Sequence, residues 1–263
     1  MIYLPQSKRF IKQTILLWLF LHLAYLSFSQ SDSTQNKRIL DFKGAISITN
    51  NGFSVIPSFS LGGPAALAVL SIGGKKFSFE PELRFALEGK PWSFIFWGRY
   101  KMINTDKFSL NLGIHPALNF RTETNTAIVS TENVIVTRRF FAGEIAPKFQ
   151  LSKNISISAY YLYSRGIDKY ATRNTHFVAF RNHFSDIPLG KKLYVQFNPQ
   201  IFYLKTGGKD GFYFTSTLTV AIRKFPLSIS SIMNKAIQTD IVSKDFDWNL
   251  SLVYTFHKKY EKQ

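Results

Sequence analysis

The sequence contains no cysteine, and this absence removes several classes of chemistry at once. The 263 residues cannot form a disulfide, a thiolate metal site or a cysteine nucleophile, and no cysteine follows the N-terminal apolar run to carry a lipid anchor. Histidine is scarce, with five in the chain. None of them belongs to an HExxH zinc motif, and there is no GxSxG nucleophile motif. The sequence therefore predicts no metal site, no cofactor and no catalytic residue.

Acidic residues are also few. The chain has 16 Asp and Glu against 33 Lys and Arg, which gives a formal net charge of +17 at pH 7. Such an excess attracts polyanions or anionic lipid head groups, although an ordinary solvated basic surface explains it equally well. Nucleic acid is not an expected partner, because the N-terminal segment predicts export from the cytoplasm. Lipopolysaccharide phosphates or anionic solutes fit an exported protein better.

Long apolar runs are limited to one, near the N-terminus. Three basic residues precede an apolar run over residues 14–26, and the small residues Ser27 and Ser29 follow it. A membrane-spanning helix needs roughly 20 apolar residues, so this run is too short to be an anchor. The basic, apolar and small-residue order predicts a signal peptide over residues 1–29. Residues 30–39 are then expected to form a short periplasmic segment.

What the sequence does have, after residue 40, is alternation with period two. Apolar and aromatic residues occupy every second position from Phe246 to Phe256, and mostly polar residues lie between them. Residues 77–88 and 92–102 alternate in the same way. This pattern predicts strands with two unlike faces, and the length of each run suits a tilted membrane strand of roughly 9 to 11 residues.

The orientation of the two faces decides between a soluble and a membrane protein. In a membrane barrel the apolar face contacts lipid and the polar face lines the interior, with aromatic residues at both interfaces. Phe, Tyr and Trp make up 16% of this chain, and the connections between predicted strands alternate between short and long. We therefore expect an all-β fold, a transmembrane antiparallel up-and-down β-barrel over residues 40–256, with a periplasmic tail over residues 257–263.

The pattern predicts twelve strands, with ten or fourteen as alternatives. Residues 53–72 are too long for one strand and are interrupted by Gly62, Gly63 and Pro64. They could be a bent strand, two short strands or a segment that folds inward. The predicted strands are 40–50, 53–72, 76–87, 92–102, 107–120, 138–150, 155–164, 175–184, 192–204, 211–223, 226–234 and 246–256.

Five prolines oppose this interpretation, because a proline inside a strand removes a ladder hydrogen bond. All five fall on the apolar parity, and we expect them at bulges or where strands leave the hydrocarbon. They are Pro57, Pro81, Pro116, Pro147 and Pro199.

Charged residues on the inward parity predict a charged lumen. Pairing Leu87 with Trp92 across the turn at Gly89 would put Glu80 opposite Arg99. Pores build selectivity from rings of such side chains, but a cluster of both signs also describes an ionic plug that fills a narrow barrel. The predicted lumen residues are Glu80, Glu82, Arg84, Arg99, Lys101, His115, Glu144 and Lys148.

The longer connections carry basic residues. Arg165, Lys169 and Arg173 lie in or beside the predicted loop 165–174, and guanidinium groups bind phosphate in bidentate fashion. We predict contact with lipopolysaccharide or another anion there. Ordinary solvation of a loop is the equal alternative. The other loop cations are Arg121, Arg138, Arg139, Lys205 and Lys209.

Two segments carry a family resemblance. FSFEPELRFALEGKPWSFIFWGRYKM, over residues 77–102, reads as a membrane hairpin, and DWNLSLVYTF, over residues 247–256, reads as a last membrane strand. With the signal peptide, they make the chain similar to the uncharacterised porin-like outer-membrane β-barrel proteins of Gram-negative bacteria. The resemblance implies an outer-membrane location, contact with outer-membrane lipid including lipopolysaccharide, and assembly by periplasmic chaperones and the barrel-assembly machinery.

The resemblance transfers no active site. In such barrels the last strand usually ends the chain on an aromatic residue, whereas seven residues follow Phe256 here. Two function classes remain open. The first is a passive channel for small solutes, and the second is a closed structural or surface-binding barrel that displays its loops. A lipid-modifying enzyme is a distant third.

Overall fold

The computed structural model describes residues 39–125 and 132–261, so the predicted signal peptide lies outside the described residues. The described ranges form twelve β-strands and one short 3-10 helix, Pro57–Phe59. The prediction of twelve strands is confirmed. The strands are β1 (Ile39–Thr49), β2 (Ala65–Gly73), β3 (Phe77–Ala86), β4 (Pro91–Asn104), β5 (Phe108–Asn125), β6 (Glu132–Ser152), β7 (Ile155–Gly166), β8 (Asn174–Leu189), β9 (Leu193–Thr206), β10 (Lys209–Ile222), β11 (Leu227–Thr239) and β12 (Phe246–Glu261).

The strands close into a barrel in which every strand is antiparallel to its neighbours in sequence. Closure is made by β1 and β12, which pair from Ile39 opposite Glu261 to Thr49 opposite Ser251. A closed barrel leaves no unpaired sheet edge, which is the condition for placing strands in hydrocarbon. The predicted up-and-down topology is therefore confirmed.

The outward face of the barrel is apolar, as the alternation predicts. On β12, Trp248 is 49% exposed while the next residue, Asn249, is 5% exposed and points inward. Phe180 on β8 and Ile201 on β9 are likewise exposed on the outer face. Such a band suits contact with lipid chains. Among the described residues, no helix is long and apolar enough to cross a membrane.

The two ends of the barrel differ. One end, here called the turn end, holds the start of β1, the end of β12 and short connections at residues 74–76, 105–107, 153–154, 190–192 and 223–226. The opposite end, here called the loop end, holds the connections at residues 50–64, 87–90, 167–173, 207–208 and 240–245. Residues 126–131, between β5 and β6, lie outside the described residues.

Several predicted strand boundaries are wrong. Strand β2 is confined to Ala65–Gly73, because residues 50–64 fold inward instead of joining the sheet. The predicted loop 121–137 is mostly strand, since β5 runs to Asn125 and β6 begins at Glu132. Strand β12 ends at Glu261 rather than at residue 256, so most of the predicted tail pairs with β1.

Four of the five prolines lie inside strands, and each coincides with a gap in one of its two ladders. At Pro116, for example, the pairing of β4 with β5 passes from Ile95 opposite Ala117 to Gly98 opposite Ile114 without a change of register. Pro81, Pro147 and Pro199 show the same gap on one side. The expected bulges are therefore absent at these four prolines, and the missing N–H interrupts the ladder locally. The fifth, Pro57, begins the 3-10 helix.

Candidate functional site

The first feature of the barrel interior is the connection between β1 and β2, residues 50–64, here called the inward segment. Backbone hydrogen bonds close its base, from Gly52 N to Gly63 O at 2.7 Å and from Leu61 N to Gly52 O at 2.7 Å. Gly62 lies between them at φ 81°, a left-handed conformation that favours glycine. The inward fold, one of three alternatives for this region, is the one observed.

Two side chains of the barrel wall hold the inward segment. Trp92 donates its indole N–H to the carbonyl oxygen of Phe59 at 2.7 Å, and Trp92 is 1% exposed. Arg121 donates to the carbonyl oxygens of Ser60, at 2.7 Å, and Ser58. The alternation of residues 92–102 predicts that Trp92 faces outward with Phe94 and Phe96, and this prediction is wrong. Register shifts between Arg84 and the next residue, and this irregularity turns Trp92 inward.

The inward segment lies between two cavities of the barrel interior. A cavity of about 300 Å³ lies against β3 to β8, and a second of about 330 Å³ lies against β1, β2, β11 and β12. Ser54, Val55 and Arg84 line both cavities, so they lie between the two. The first cavity combines charged with aromatic side chains, whereas the second is lined mainly by small polar and apolar ones.

Ion pairs cross the wall of the first cavity. Arg99 on β4 contacts Glu80 on β3, and its Nε lies 2.6 Å from Glu144 Oε1 on β6. Tyr160 on β7 donates to the other oxygen of Glu144 at 2.6 Å. The arrangement links four strands through one arginine and one carboxylate. Because Glu144 is 5% exposed, these partners replace the water that would otherwise surround its carboxylate.

A second arginine, Arg181 on β8, lies beside Tyr160. Its guanidinium lies 3.7 Å from the ring centroid of Tyr160, and its Nε donates to Gln200 Oε1 at 3.0 Å. Within the described part of the chain, no carboxylate lies at salt-bridge distance from Arg181. Sequence reasoning missed Tyr160 and Arg181, although both fall on the inward parity of predicted strands.

The predicted lumen residues all lie on the inward parity, but they separate into two levels. Glu82 pairs with Arg84 at 2.6 Å, and the His115 ring stacks edge-on against Trp97 with centroids 4.0 Å apart. Lys101 and Lys148 lie nearer to the turn end and are exposed. The cluster predicted as one set is therefore a paired group at mid-barrel with two cations below it.

The predicted register of β3 and β4 is wrong by two residues. Glu80 lies opposite Trp97, and Arg99 lies opposite Ser78 rather than Glu80. The turn places Phe85 opposite Pro91, which is three residues from the predicted register, and the register shift beside Arg84 reduces the difference to two. A slip of two residues keeps every side chain on its own face, so Glu80 and Arg99 still meet as a diagonal pair.

Aromatic side chains fill the interior beside β7 to β10. Phe177, Phe202 and Tyr213 stack in sequence, with centroids 4.8 Å and 4.9 Å apart. Leu162 and Leu204 pack with them, and Val55 of the inward segment closes the cluster. The expectation that apolar residues look outward thus fails on these strands. Uninterrupted apolar runs, such as residues 177–180 and 201–204, are the signal that could have revealed it.

The predicted loop cations do not form one group. Arg165 is in strand β7 opposite Asn174, Lys169 lies 5.5 Å from the ring centroid of Tyr170, and Arg173 precedes β8. Arg139, also expected in a loop, belongs to β6.

Arg139 instead binds a loop carboxylate. Its side chain and its backbone N–H both donate to Asp168, at 2.6 Å in each case. These hydrogen bonds from Arg139 hold the pKa of Asp168 below its ordinary value. Among the described residues, no group of three or more His, Asp or Glu side chains could hold a metal ion.

Comparison with known proteins identifies the fold. No family model and no curated protein matches the chain. Solved structures do match: the chain has the fold of the porin-type outer-membrane β-barrels. The structure titled KdgM porin in complex with disordered oligogalacturonate has a TM-score of 0.51 and 8% identity, covering 82% of this chain and 99% of that one. The structure titled KdgM porin has a TM-score of 0.50 and 8% identity, with the same coverage of both chains. The NanC porin has a TM-score of 0.45 and 10% identity, and the match covers 85% of this chain and 100% of that one.

Proposed function

We propose that this protein is a passive channel for small solutes in the outer membrane of a Gram-negative bacterium, narrowed by the inward segment. The observation that carries the proposal is the pair of cavities, about 300 and 330 Å³, on the two sides of that segment. A closed barrel with an apolar outer face and charged side chains inside is the arrangement that a narrow pore requires.

The interior charges favour a modest preference for anions. Glu80, Glu82 and Glu144 are all engaged by arginines, whereas Arg181 has no carboxylate partner in the described ranges. Lys101 and Lys148 add positive charge toward the turn end. The KdgM porin, which has the same fold, was solved in complex with oligogalacturonate, a carboxylate-bearing ligand. A solute with one or two anionic groups would therefore find unpaired donors along this wall.

The direct experiment is conductance of the purified mature protein in planar bilayers. We expect small ohmic steps in salt and a reversal potential that indicates anion preference across a salt gradient. A variant in which residues 54–61 are replaced by a short Gly-Ser linker should give larger steps, because the linker removes the side chains between the two cavities. A variant with Gly and Ser at residues 242–244, in another loop-end connection, is the control. Absence of steps in all three proteins would contradict the channel.

A closed barrel is the second candidate, and the aromatic cluster favours it. Phe177, Phe202 and Tyr213 are 3%, 1% and 0% exposed, so these packed side chains occupy the interior beside β8 to β10. If the barrel is closed, the variant with the Gly-Ser linker should still fold. Liposomes that contain this variant should then not swell in solutions of neutral or charged solutes. That outcome would leave a structural or surface-binding role.

A further inference from the structure

The outer surface at the loop end of β7, β8 and β9 carries a row of basic side chains. Tyr163 lies opposite His176, and His176 lies opposite Lys205, so the three outward side chains are neighbours on adjacent strands. Arg165 lies one step nearer to the loop end, opposite Asn174. Arg165, His176 and Lys205 are called the basic patch below.

Below the basic patch, toward the middle of the barrel, the outward side chains include tyrosines first and are then entirely apolar. One step toward the middle of the barrel, Tyr161 and Tyr203 flank Val178 on the outer face. In the next step Phe180 lies opposite Ile201, and these two side chains are 52% and 54% exposed. Basic side chains, then tyrosines, then apolar side chains follow the order in which a lipid presents its phosphate, its interfacial region and its acyl chains.

Tyrosine side chains orient His176, the middle residue of the basic patch. The hydroxyl of Tyr161 lies 3.0 Å from His176 Nδ1, and the ring centroid of Tyr163 lies 5.1 Å from that of the same histidine. Tyr163 donates to the Asn174 side chain at 2.8 Å. These contacts hold the imidazole between Arg165 and the cation on β9, so this side chain does not have to be ordered when the patch binds a ligand.

The basic patch forms no salt bridge over residues 39–125 and 132–261, although one carboxylate lies opposite Lys205. There, no carboxylate lies at salt-bridge distance from Arg165, His176 or Lys205. The carboxylate that faces Lys205 across the strand pair is Asp210, which accepts a hydrogen bond from the Tyr203 hydroxyl at 2.9 Å. By contrast, the cation at the neighbouring position on β6 is neutralised by a loop aspartate.

We propose that the basic patch binds the phosphate of a lipid in the outer leaflet, with the acyl chains lying along Phe180 and Ile201. The apolar surface directly below the cations is what distinguishes this site from one for a soluble anion. The site shares Arg165 with the loop cluster expected from sequence, but it replaces Lys169 and Arg173 by His176 and Lys205. It rests on the barrel spanning the outer membrane and is independent of whether the lumen conducts.

The test uses the full mature barrel in detergent, titrated with lipid A that carries two phosphates. Replacing Arg165→Gln and Lys205→Gln together should weaken binding by about tenfold to a hundredfold, because two charge-assisted hydrogen bonds are lost. The matched control removes two cations at the turn end, Lys107→Gln and Lys258→Gln, and should bind as the unchanged protein does. Arg165→Lys should retain part of the affinity, since an ammonium keeps the charge without the bidentate geometry.

Two further arms separate the sources of phosphate. Lipid A from which both phosphates have been removed should bind weakly to every variant, and inorganic phosphate at millimolar concentration should not displace lipid A. The proposal is overturned if the double variant at residues 165 and 205 binds lipid A as tightly as the turn-end control. It is also overturned if inorganic phosphate alone competes, because the patch would then be a site for soluble anions. Neither result bears on conductance, so the channel is tested separately.

Discussion

Arg99 on β4 and Glu144 on β6 form a salt bridge of 2.6 Å that passes over the strand between them. The residue of β5 under this bridge is Gly113, which pairs with Arg99 on one side and with Glu144 on the other. A Cβ atom at Gly113 would lie 2.6 Å from Glu144 Oε1. Glycine here provides the space in which the two charges meet.

Replacement of Gly113→Ala should therefore displace the Glu144 carboxylate and weaken the bridge. We expect a loss of roughly 1 to 3 kcal/mol in the free energy of unfolding, less than for a fully buried pair, because Arg99 is partly exposed to the lumen. Denaturant unfolding in lipid vesicles measures it. Gly143→Ala is the matched control, since a Cβ there meets its nearest neighbour at 3.7 Å. Equal stability of the two variants would contradict the role given to Gly113.

Removal of the Arg99 charge should change ion selectivity. Arg99→Gln leaves Glu80 and Glu144 in the lumen without their shared partner. A unit charge at about 8 Å contributes on the order of 2 kcal/mol at an effective dielectric constant of about 20, before screening by salt. We expect the reversal potential in a salt gradient to shift toward cations. Lys224→Gln, in a turn-end connection, should leave it unchanged.

Release of the inward segment should increase conductance. Trp92→Phe removes the hydrogen bond to the Phe59 carbonyl, a loss of about 1 kcal/mol, while retaining an aromatic side chain. We expect larger or noisier single-channel steps. Trp248→Phe, at an exposed position on the outer face, is the control for the loss of one indole. Identical traces from both variants would show that the segment does not limit the pore.

Much of the fold follows from the sequence because contact with hydrocarbon requires apolar side chains on one face of each strand. The alternation from Phe246 to Phe256 allows one assignment of outward and inward side chains, and β12 follows this assignment. The inward segment could not be derived, because its Trp92 and Arg121 anchors join strands that are distant in sequence from it. Local alternation contains no information on such contacts.

The sequence predicts which side chains of the candidate site face the interior, but it does not predict how they pair. Glu80 and Arg99 were placed inward, but their pairing depended on the turn that joins β3 and β4. The irregularity beside Arg84 shifts the register there, and alternation does not reveal it. Tyr160 was overlooked because an inward tyrosine resembles an outward one until its hydrogen bond to Glu144 is known.

Acidification should free the loop between β7 and β8. Asp168 in this loop accepts hydrogen bonds from Arg139, which lower its pKa in the folded protein. A depressed carboxyl pKa stabilises the folded loop at a pH above the ordinary carboxyl value of about 4, and the contribution is lost as the pH falls through the lowered pKa. Hydrogen exchange of residues 167–173 should therefore be slow, relative to its intrinsic rate, at neutral pH and approach that rate in strong acid.

The variant Asp168→Asn provides the control for this last prediction. It retains the size of the side chain but lacks the charge that Arg139 binds, so relative exchange of the loop should already be fast at neutral pH and should change little on acidification. The turn at residues 207–208, which contains no carboxylate, should show no acid-dependent step in either protein. If the loop of the unchanged protein exchanges as fast at neutral pH as that of the variant, the Asp168 contact does not hold it.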